Sequence, residues 1–505
     1  MSFDLFDITA KRAELAPDRP AMEDLVTGRV LSYAALEDCA SRSAALLAAH
    51  GVAQGERVAL LCRNRIEFFE LLFACAKLGA LLVPLNWRMP ARELAGLMAD
   101  CAPRLLLYGK EDAQVAQALI GPACPGLALD EAGPEGFVAA REACSPHPGR
   151  MRWPGDEAWY LLYTSGTTGA PKAVIQTYGM ALANYVNIGQ AIALRGSDVT
   201  LNFLPLFHTA GINLHSLPTL IAGGQVLVLP GFDVERMIDL LSAGRLDIFF
   251  AVPAVYQQLS LHPRFDRVDL GGLRSWACGG APLPDSLIKT YAARGVQVCN
   301  GYGMTETGPT AFLVDEAAAA VKIASVGKPQ LLTKARIVDN MGADVPPDTP
   351  GEIWLSGPGI TPGYWRQQEA TAQAFAPGGW LKTGDLGRMD KDGYYYIVGR
   401  IKDMYISGGE NVYPAEVENV LARHPAILEA AVVGIADARW GEVGRAFVMP
   451  RPGAAMPDAA ALDAYCREHL APYKVPKSFV TVADFPRTAA GKIQKHLIPH
   501  LKNQA

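Results

Sequence analysis

The chain has no CxxC pair, no uninterrupted apolar run of membrane-spanning length and no long stretch of one charge. Each absence removes a class of protein. Nine cysteines lie scattered at positions 39, 62, 75, 101, 124, 144, 278, 299 and 466. Their spacing and odd number argue against a zinc site and for reduced thiols. No transmembrane helix is expected, so stable membrane insertion is excluded. A net charge of −5 without basic clusters offers no surface for nucleic acid. The opening Met-Ser-Phe-Asp-Leu-Phe-Asp lacks a basic stretch leading into an apolar one, and the closing Leu-Lys-Asn-Gln-Ala carries no peroxisomal tripeptide. A cytoplasmic protein is the expectation, either monomer or homodimer.

What is present is a long, ordinary globular chain: 505 residues, 50% hydrophobic and 19% charged. That length exceeds one core and predicts two or more domains. Ser32 reads as an N-cap, followed by apolar residues at Leu36, Ala40, Ala44 and Leu47 and a stop at Gly51. Strands are predicted over 56–62, 80–85 and 104–108, with a buried helix over 67–79. Such alternation implies parallel sheets covered by helices. Residues 109–156 are rich in Ala, Pro and Gly and offer little chemistry. Further strands are predicted over 157–163, 199–206, 225–229, 248–252, 273–278 and 296–299. From 380 to 400 the pattern turns to antiparallel strands and turns. Beyond it, strands at 430–435, 442–449 and 478–482 with a helix over 458–470 make a small α+β domain. The expected architecture is α/β: a large N-terminal domain of parallel-rich sheets and helices over 1–400, and a smaller, mobile α+β domain over 401–505.

One loop dominates the chemistry. The strand ending at Tyr163 runs into Thr164, Ser165, Gly166, Thr167, Thr168, Gly169, Ala170, Pro171 and Lys172. Hydroxyls and bare N–H groups are donors, glycine lets backbone close on a polyphosphate, and lysine adds charge. The P-loop pattern is excluded, because the hydroxyl required directly after its lysine is here Ala173.

Other stretches share this logic. Asn300-Gly-Tyr-Gly-Met-Thr-Glu306 puts an aromatic face, a hydroxyl and a carboxylate within a few residues. Tyr302 can stack on a purine, Thr305 can donate to a phosphate, and Glu306 can ligate a hard cation such as Mg²⁺. Asp385, in Thr383-Gly-Asp385, suits both hydroxyls of a ribose, and Arg400 is a fixed cation for ribose or phosphate oxygens. His208 follows a strand, a usual ligand position in open α/β sheets, although a lone histidine is more often structural than functional.

Taken in order, these stretches resemble the motifs of the adenylate-forming superfamily of acyl-CoA synthetases, firefly-type luciferases and peptide-synthetase adenylation domains. The resemblance runs from about residue 20 to 500. It includes Leu204-Pro-Leu-Phe-His208, Gly279-Gly280-Ala281-Pro282, Tyr302-Gly-Met-Thr-Glu306, Thr383-Gly-Asp385, Gly399-Arg-Ile-Lys-Asp403, Ser407-Gly-Gly-Glu-Asn-Val-Tyr-Pro414 and Pro486-Arg-Thr-Ala-Ala-Gly-Lys492. The resemblance implies that a carboxylate attacks the α-phosphate of ATP, giving acyl-adenylate and pyrophosphate, after which a thiol displaces AMP. Implied with it are ATP, Mg²⁺ on Glu306, coenzyme A, Lys492 as the adenylation lysine, Lys402 as the hinge, and Gly408 and Gly409 as room for a pantetheine arm. Gly280, Ala281 and Asn300 join the nucleotide site on the same ground. Trp440 either stacks on the CoA adenine or packs.

The stretches 202–216, 276–282 and 300–313, expected to line the acyl pocket, contain no Lys or Arg. A second carboxylate would be buried there without a cation, so a dicarboxylate such as malonate is disfavoured. Ala210, Gly211, Gly279, Gly301 and Gly308 make room, and Phe207, Cys278, Met304 and Phe312 make it apolar. The reading is a hydrophobic monocarboxylate, fatty or aryl, transferred to CoA. His208, Asn213 and His215 either bond a ring substituent or are structural. Alternatives are a free-standing enzyme loading a carrier protein, a luciferase-like oxidase, and a nucleotide-binding module without activity.

Overall fold

Ser32 accepts the Ala35 N–H at 3.2 Å and so starts the helix Tyr33–Ala49, as its sequence predicts. The next helix, Ile66–Leu78, has every residue buried and ends on Gly79 at φ +71°. Gly79 can take that left-handed turn without a Cβ penalty. Burying the helix also buries three charges, and each is paired: Glu67 accepts Arg29 and Arg65, each at 2.8 Å. The ammonium of Lys77 donates to Asp7 at 2.6 Å and to both Glu37 oxygens at 2.9 and 2.8 Å. Glu70 accepts Arg141 at 3.0 and 2.9 Å and the Ser43 hydroxyl. Arg141 lies in the stretch 109–156, which is therefore not inert: it supplies the counter-ion of a fully buried carboxylate.

The computed structural model describes residues 4–133, 136–164, 171–281, 283–487 and 493–501. Three sheets build the centre of the large domain. In the first, Leu81–Pro84, Arg57–Leu61, Leu105–Tyr108 and Gly126–Ala128 run parallel, Ala158–Thr164 joins them in parallel, and Lys172–Thr177 turns back antiparallel at the edge. The second carries Val199–Asn202, Gln225–Val228 and Pro20–Asp24 in parallel. The third carries Ile248–Ala251, Ser275–Cys278 and Val298–Tyr302 in parallel, then Phe312–Leu313 antiparallel. Apolar, β-branched and aromatic runs at these positions fit strands covered on both faces. A fourth sheet, Lys334–Val338, Gly351–Ser356, Trp380–Met389 and Tyr395–Arg400, is antiparallel.

Two strand bounds differ from expectation in ways that matter. The strand predicted over 199–206 stops at Asn202. There the Asn202 amide donates to Gly211 O and Ser216 Oγ, both at 2.8 Å, and its oxygen accepts Asn64 at 2.9 Å. Satisfying that side chain turns the chain before Pro205, which has no N–H to give a ladder. Conversely, the strand predicted to end at Cys299 runs on to Tyr302. Asn300 and Tyr302 are thus held in a sheet rather than on a loop.

The smaller C-terminal domain has its own core around Val412, Val417, Leu421, Val432, Ala446 and Leu462. Its strands Ile427–Asp437 and Gly441–Pro450 form a long antiparallel pair, with Ser478–Thr481 parallel to the second. Arg423 reaches Asp285 of the large domain at 3.1 Å. Among the described residues no helix is long and apolar enough to cross a membrane.

Candidate active site

The carboxyl ends of the third sheet meet the edge of the first. Asp385 and Arg400 are register partners across their antiparallel hairpin. Arg400 Nε stands 3.0 Å from Asp385 Oδ1, and the Tyr302 hydroxyl donates to Asp385 Oδ2 at 2.6 Å. Burial, reinforced by the Asp385 charge, pushes the Tyr302 phenol far above its ordinary pKa, so it stays a donor. Asp385 is 5% exposed. Each of its oxygens has a protein partner and a lone pair to spare for one more donor. Asn300 donates to Ser325 O at 3.3 Å, while its own buried Oδ1 has no partner among the described residues. An acceptor left so in a buried site is costly unless a ligand meets it.

After Tyr302 the chain makes a short 3₁₀ turn, Thr305–Thr307. Gln176 donates to Thr305 O at 2.9 Å, tying this turn to the edge strand of the first sheet. Glu306 is buried, and its Oε1 accepts the Tyr364 hydroxyl at 3.0 Å. Burial raises its pKa, against smaller lowering from hydrogen bonds and from Arg400. Among the described residues no Lys, Arg or His lies within 4.0 Å of its carboxylate. Thr164 and Lys172 are register partners at the foot of the Ser/Thr/Gly loop, and Lys172 Nζ sits 5.0 Å from the Tyr364 ring centroid. Ser165, Gly166, Thr167, Thr168 and Gly169 lie outside the described residues, as does Lys492. The flanks of Lys492 are described: Arg487 and Ile493 pair in an antiparallel bridge.

A cavity of about 170 Å³ opens beside Thr305. Among the described residues its walls include His208, Ala210, Gly279, Gly280, Gly301, Met304 and Phe312 and contain no Lys or Arg. Ile188, Phe250 and Val252 also line it, although they lie outside the stretches 202–216, 276–282 and 300–313. The signal for Phe250 and Val252 was available, since both sit at the carboxyl end of a parallel strand. Four expected lining residues do not line it. Phe207 packs edge-on against Trp87 at 6.1 Å, Cys278 is sealed in the core behind, and Gly211 and Gly308 lie elsewhere. Asn213 is no ligand donor: it accepts Tyr160 at 2.7 Å and donates to Thr209 at 3.0 Å. His215 stands behind Phe250, edge-on at 5.9 Å. Both histidines are neutral at pH 7. Burial pushes His208 and His215 down to about 4, with nearby Arg88 adding to the effect on His208.

In the C-terminal domain Gly408 (φ +62°) donates to Trp440 O at 2.9 Å, and a Cβ on it would come 2.8 Å from the Trp440 ring. Trp440 therefore packs on Gly408 while staying 41% exposed. Gly409 (φ +89°) has nothing within 4 Å of where its Cβ would lie. Ala281 follows Gly280 (φ +82°) beside the cavity. Lys402 sits in the short turn Ile401–Asp403 that links the antiparallel sheet to the C-terminal strands.

Residues 9–365 match the family of AMP-binding enzymes, and residues 416–492 match the AMP-binding enzyme C-terminal domain. The chain belongs to that family of adenylate-forming enzymes. Over 485 residues it is 40% identical to a feruloyl-CoA synthase from Amycolatopsis sp, with 96% of each chain covered. Over 490 residues it is 39% identical to an indoleacetate-CoA ligase from Aromatoleum aromaticum, covering 96% of this chain and 95% of that one. Its fold is similar to that of the o-succinylbenzoate CoA synthetase of Bacillus subtilis solved with its acyl-adenylate intermediate. The TM-score is 0.89 at 30% identity, with 99% of each chain covered; that enzyme has also been solved with ATP and magnesium ion. The protein is an AMP-forming acid–CoA ligase.

Mg²⁺ is the metal the family implies, and Glu306 fits it. Mg²⁺ is usually bound by one or two carboxylates, with phosphate oxygens and water completing its octahedron. A buried carboxylate without a cationic partner supplies what that mode needs, and the described residues hold no group of three ligands that would make an all-protein cage.

Proposed function

We propose that the protein activates an aryl monocarboxylate with ATP and passes the acyl group to CoA. The observation that carries this reading is the cavity beside Thr305: apolar, glycine-walled and, among the described residues, without a cation. A second carboxylate there would lose its hydration with nothing to pair it, at a cost of several kcal/mol. Glycines at 279, 280 and 301 leave flat faces on which a ring can lie, whereas a methyl group at each would narrow the slot. Ferulate and indoleacetate, named in the relatives, are both ring-bearing monocarboxylates.

In this reading Asn300 Oδ1 accepts the adenine amino group, Tyr302 stacks on the base, and Asp385 takes the ribose hydroxyls with Arg400 beside it. Residues 164–169 and Lys172 donate to the β- and γ-phosphates, and Thr305 to the α-phosphate. His208, neutral, borders the acyl slot. Mg²⁺ on Glu306 would neutralise phosphate charge. A carboxylate oxygen forms a bond to the α-phosphorus and pyrophosphate departs. Lys492 meets the charge that builds there; one such donor is worth about 3–4 kcal/mol in the transition state. The CoA sulfur then bonds to the acyl carbon and AMP leaves. Gly408 and Gly409 give the pantetheine arm room, and the exposed face of Trp440 receives the CoA adenine. Because Lys492 and Gly408 belong to one small domain, serving both steps requires that residues 401–505 rotate against 1–400 about Lys402.

Pyrophosphate release across an acid panel tests the substrate. Ferulate, cinnamate and indoleacetate should be turned over with free CoA. Malonate should not, and efficient turnover of malonate, or of long-chain fatty acids alone, would overturn the proposal. For the lysine, Lys492→Ala should abolish acid-dependent ATP–pyrophosphate exchange and largely spare thioester formation from synthetic acyl-adenylate. Equal loss of both would remove Lys492 from its role.

A further inference from the structure

Tyr364 belongs to no stretch singled out above, yet it touches two charged groups of the site at once. Its hydroxyl donates to Glu306 Oε1 at 3.0 Å, and its ring face lies 5.0 Å from Lys172 Nζ. The residue is pinned from several sides. Tyr364 bridges Val174 on the edge strand, its N–H donates to Thr371 Oγ1 at 3.0 Å, and Trp365 N–H donates to Ala173 O at 2.8 Å. Thr361 N–H donates to Glu306 O at 2.8 Å, and its hydroxyl donates to Ile175 O at 2.7 Å, so the same segment also holds the Glu306 backbone. The ring stands on the strand that carries Lys172 and beside the turn that carries Glu306.

A buried carboxylate and a nearby ammonium attract strongly in low dielectric. Were they to join, each would neutralise the other before any nucleotide arrived. Among the described residues neither has an opposite charge within 4.0 Å. The phenol meets each with a different part of itself: the O–H satisfies one carboxylate oxygen, and the negative ring face attracts the ammonium. A carboxylate has about four acceptor sites, so Glu306 keeps lone pairs for a ligand.

We infer that Tyr364 is a positioning residue that holds Glu306 and Lys172 apart and aims them at the metal and the polyphosphate. The inference rests on the reading of Glu306 as the Mg²⁺ ligand and Lys172 as a phosphate donor. Tyr364→Phe removes the hydroxyl and keeps the ring. Groups that orient a metal-bound carboxylate typically change metal affinity about 10- to 100-fold. Tyr364→Leu also removes the ring face and lets Lys172 pair directly with Glu306.

The test uses the full chain with a non-hydrolysable ATP analogue and Mn²⁺ as probe, free Mn²⁺ being read by electron paramagnetic resonance. Tyr364→Phe should weaken Mn²⁺ binding about tenfold. It should leave unchanged the affinity for an acyl-sulfamoyl adenosine, which has no β- or γ-phosphate. Tyr364→Leu should weaken the ATP analogue further than Tyr364→Phe does, even without metal. Glu306→Gln separates the two levels of argument. If Glu306→Gln leaves Mn²⁺ binding intact, the reading of Glu306 fails. If Glu306→Gln abolishes it while both Tyr364 variants bind Mn²⁺ like wild type, the positioning role fails alone. Loss of acyl-sulfamoyl adenosine affinity in Tyr364→Phe would show general damage to the site and would also overturn the inference.

Discussion

Replacing Asp385 by asparagine changes one atom and discriminates sharply between a nucleotide site and a structural cluster. The carboxylate takes Arg400 on Oδ1 at 3.0 Å and Tyr302 on Oδ2 at 2.6 Å. Arginine has only donors, so the introduced amide must turn its oxygen toward Arg400 and its NH₂ toward Tyr302, whose hydroxyl can accept. The acceptor beside Tyr302 is then gone, and the one beside Arg400 is neutral. A hydrogen bond to a charged acceptor is worth about 1.5–3 kcal/mol, against about 1 for a neutral one. Losing one ribose bond outright and weakening the other removes about 2–5 kcal/mol, or about 30- to 4,000-fold in affinity. Calorimetric titration with AMP measures this directly, because AMP needs no metal and bypasses Glu306 and Lys492. Tyr302→Phe is the control: it keeps the ring over the base and should weaken AMP less than Asp385→Asn does. A dissociation constant for Asp385→Asn within about threefold of wild type, which is under 1 kcal/mol, would place the ribose elsewhere.

The remaining expectations address the hinge and the buried histidines. Lys402→Pro fixes φ in the turn Ile401–Asp403. Pyrophosphate exchange should persist and thioester formation should fall; unchanged overall turnover would argue against a hinge there. His208 and His215 titrate near 4 when folded, below their ordinary value of 6.5. Their contribution to stability is full above pH 6.5 and is lost as pH falls toward 4, because the unfolded chain protonates first. Each can account for up to about 3 kcal/mol. Urea unfolding between pH 4 and 7 should steepen over that window, and His215→Phe should flatten it. An unaltered slope would mean that other groups carry the acid limb. The pH profile of kcat/KM should show no ionisation near 6.5 from His208.

How far residues alone could take the argument depends on the range of the interactions involved. Tyr302, Asp385 and Arg400 were each legible as chemistry from their local motifs. That they bond to one another was not, because it requires Asp385 opposite Arg400 in an antiparallel hairpin whose register shifts between Leu386 and Gly387. The same limit explains the acyl slot. Gly279 and Met304 lie in motifs and were found; Ile188 comes from a helix with no chemical signature, and Phe207 satisfies an aromatic edge instead of the slot. Asn213 looked available because its partners, Tyr160 and Thr209, are joined to it only by folding. Tyr364 shows the strongest form of this limit: its partner on the edge strand, Val174, is remote in the chain.

Pairing separates the two kinds of buried charge in this molecule. Lys77 sits between Asp7 and Glu37, and Arg141 embraces Glu70. In each cluster Coulomb attraction and hydrogen bonds offset part of what desolvation costs; burial still pushes the Glu70 carboxyl up to about 7. Among the described residues the buried Glu306 and the half-buried Lys172 break that pattern together, and do so around one tyrosine. Folding alone would favour letting them meet. Keeping them separate costs stability, and the group proposed to bind there, a metal on a polyphosphate, carries both charges and would complete the pairing. A carboxylate and an ammonium held without counter-ions on either side of a pinned ring are thus better evidence of a magnesium–nucleotide site than either residue in its motif.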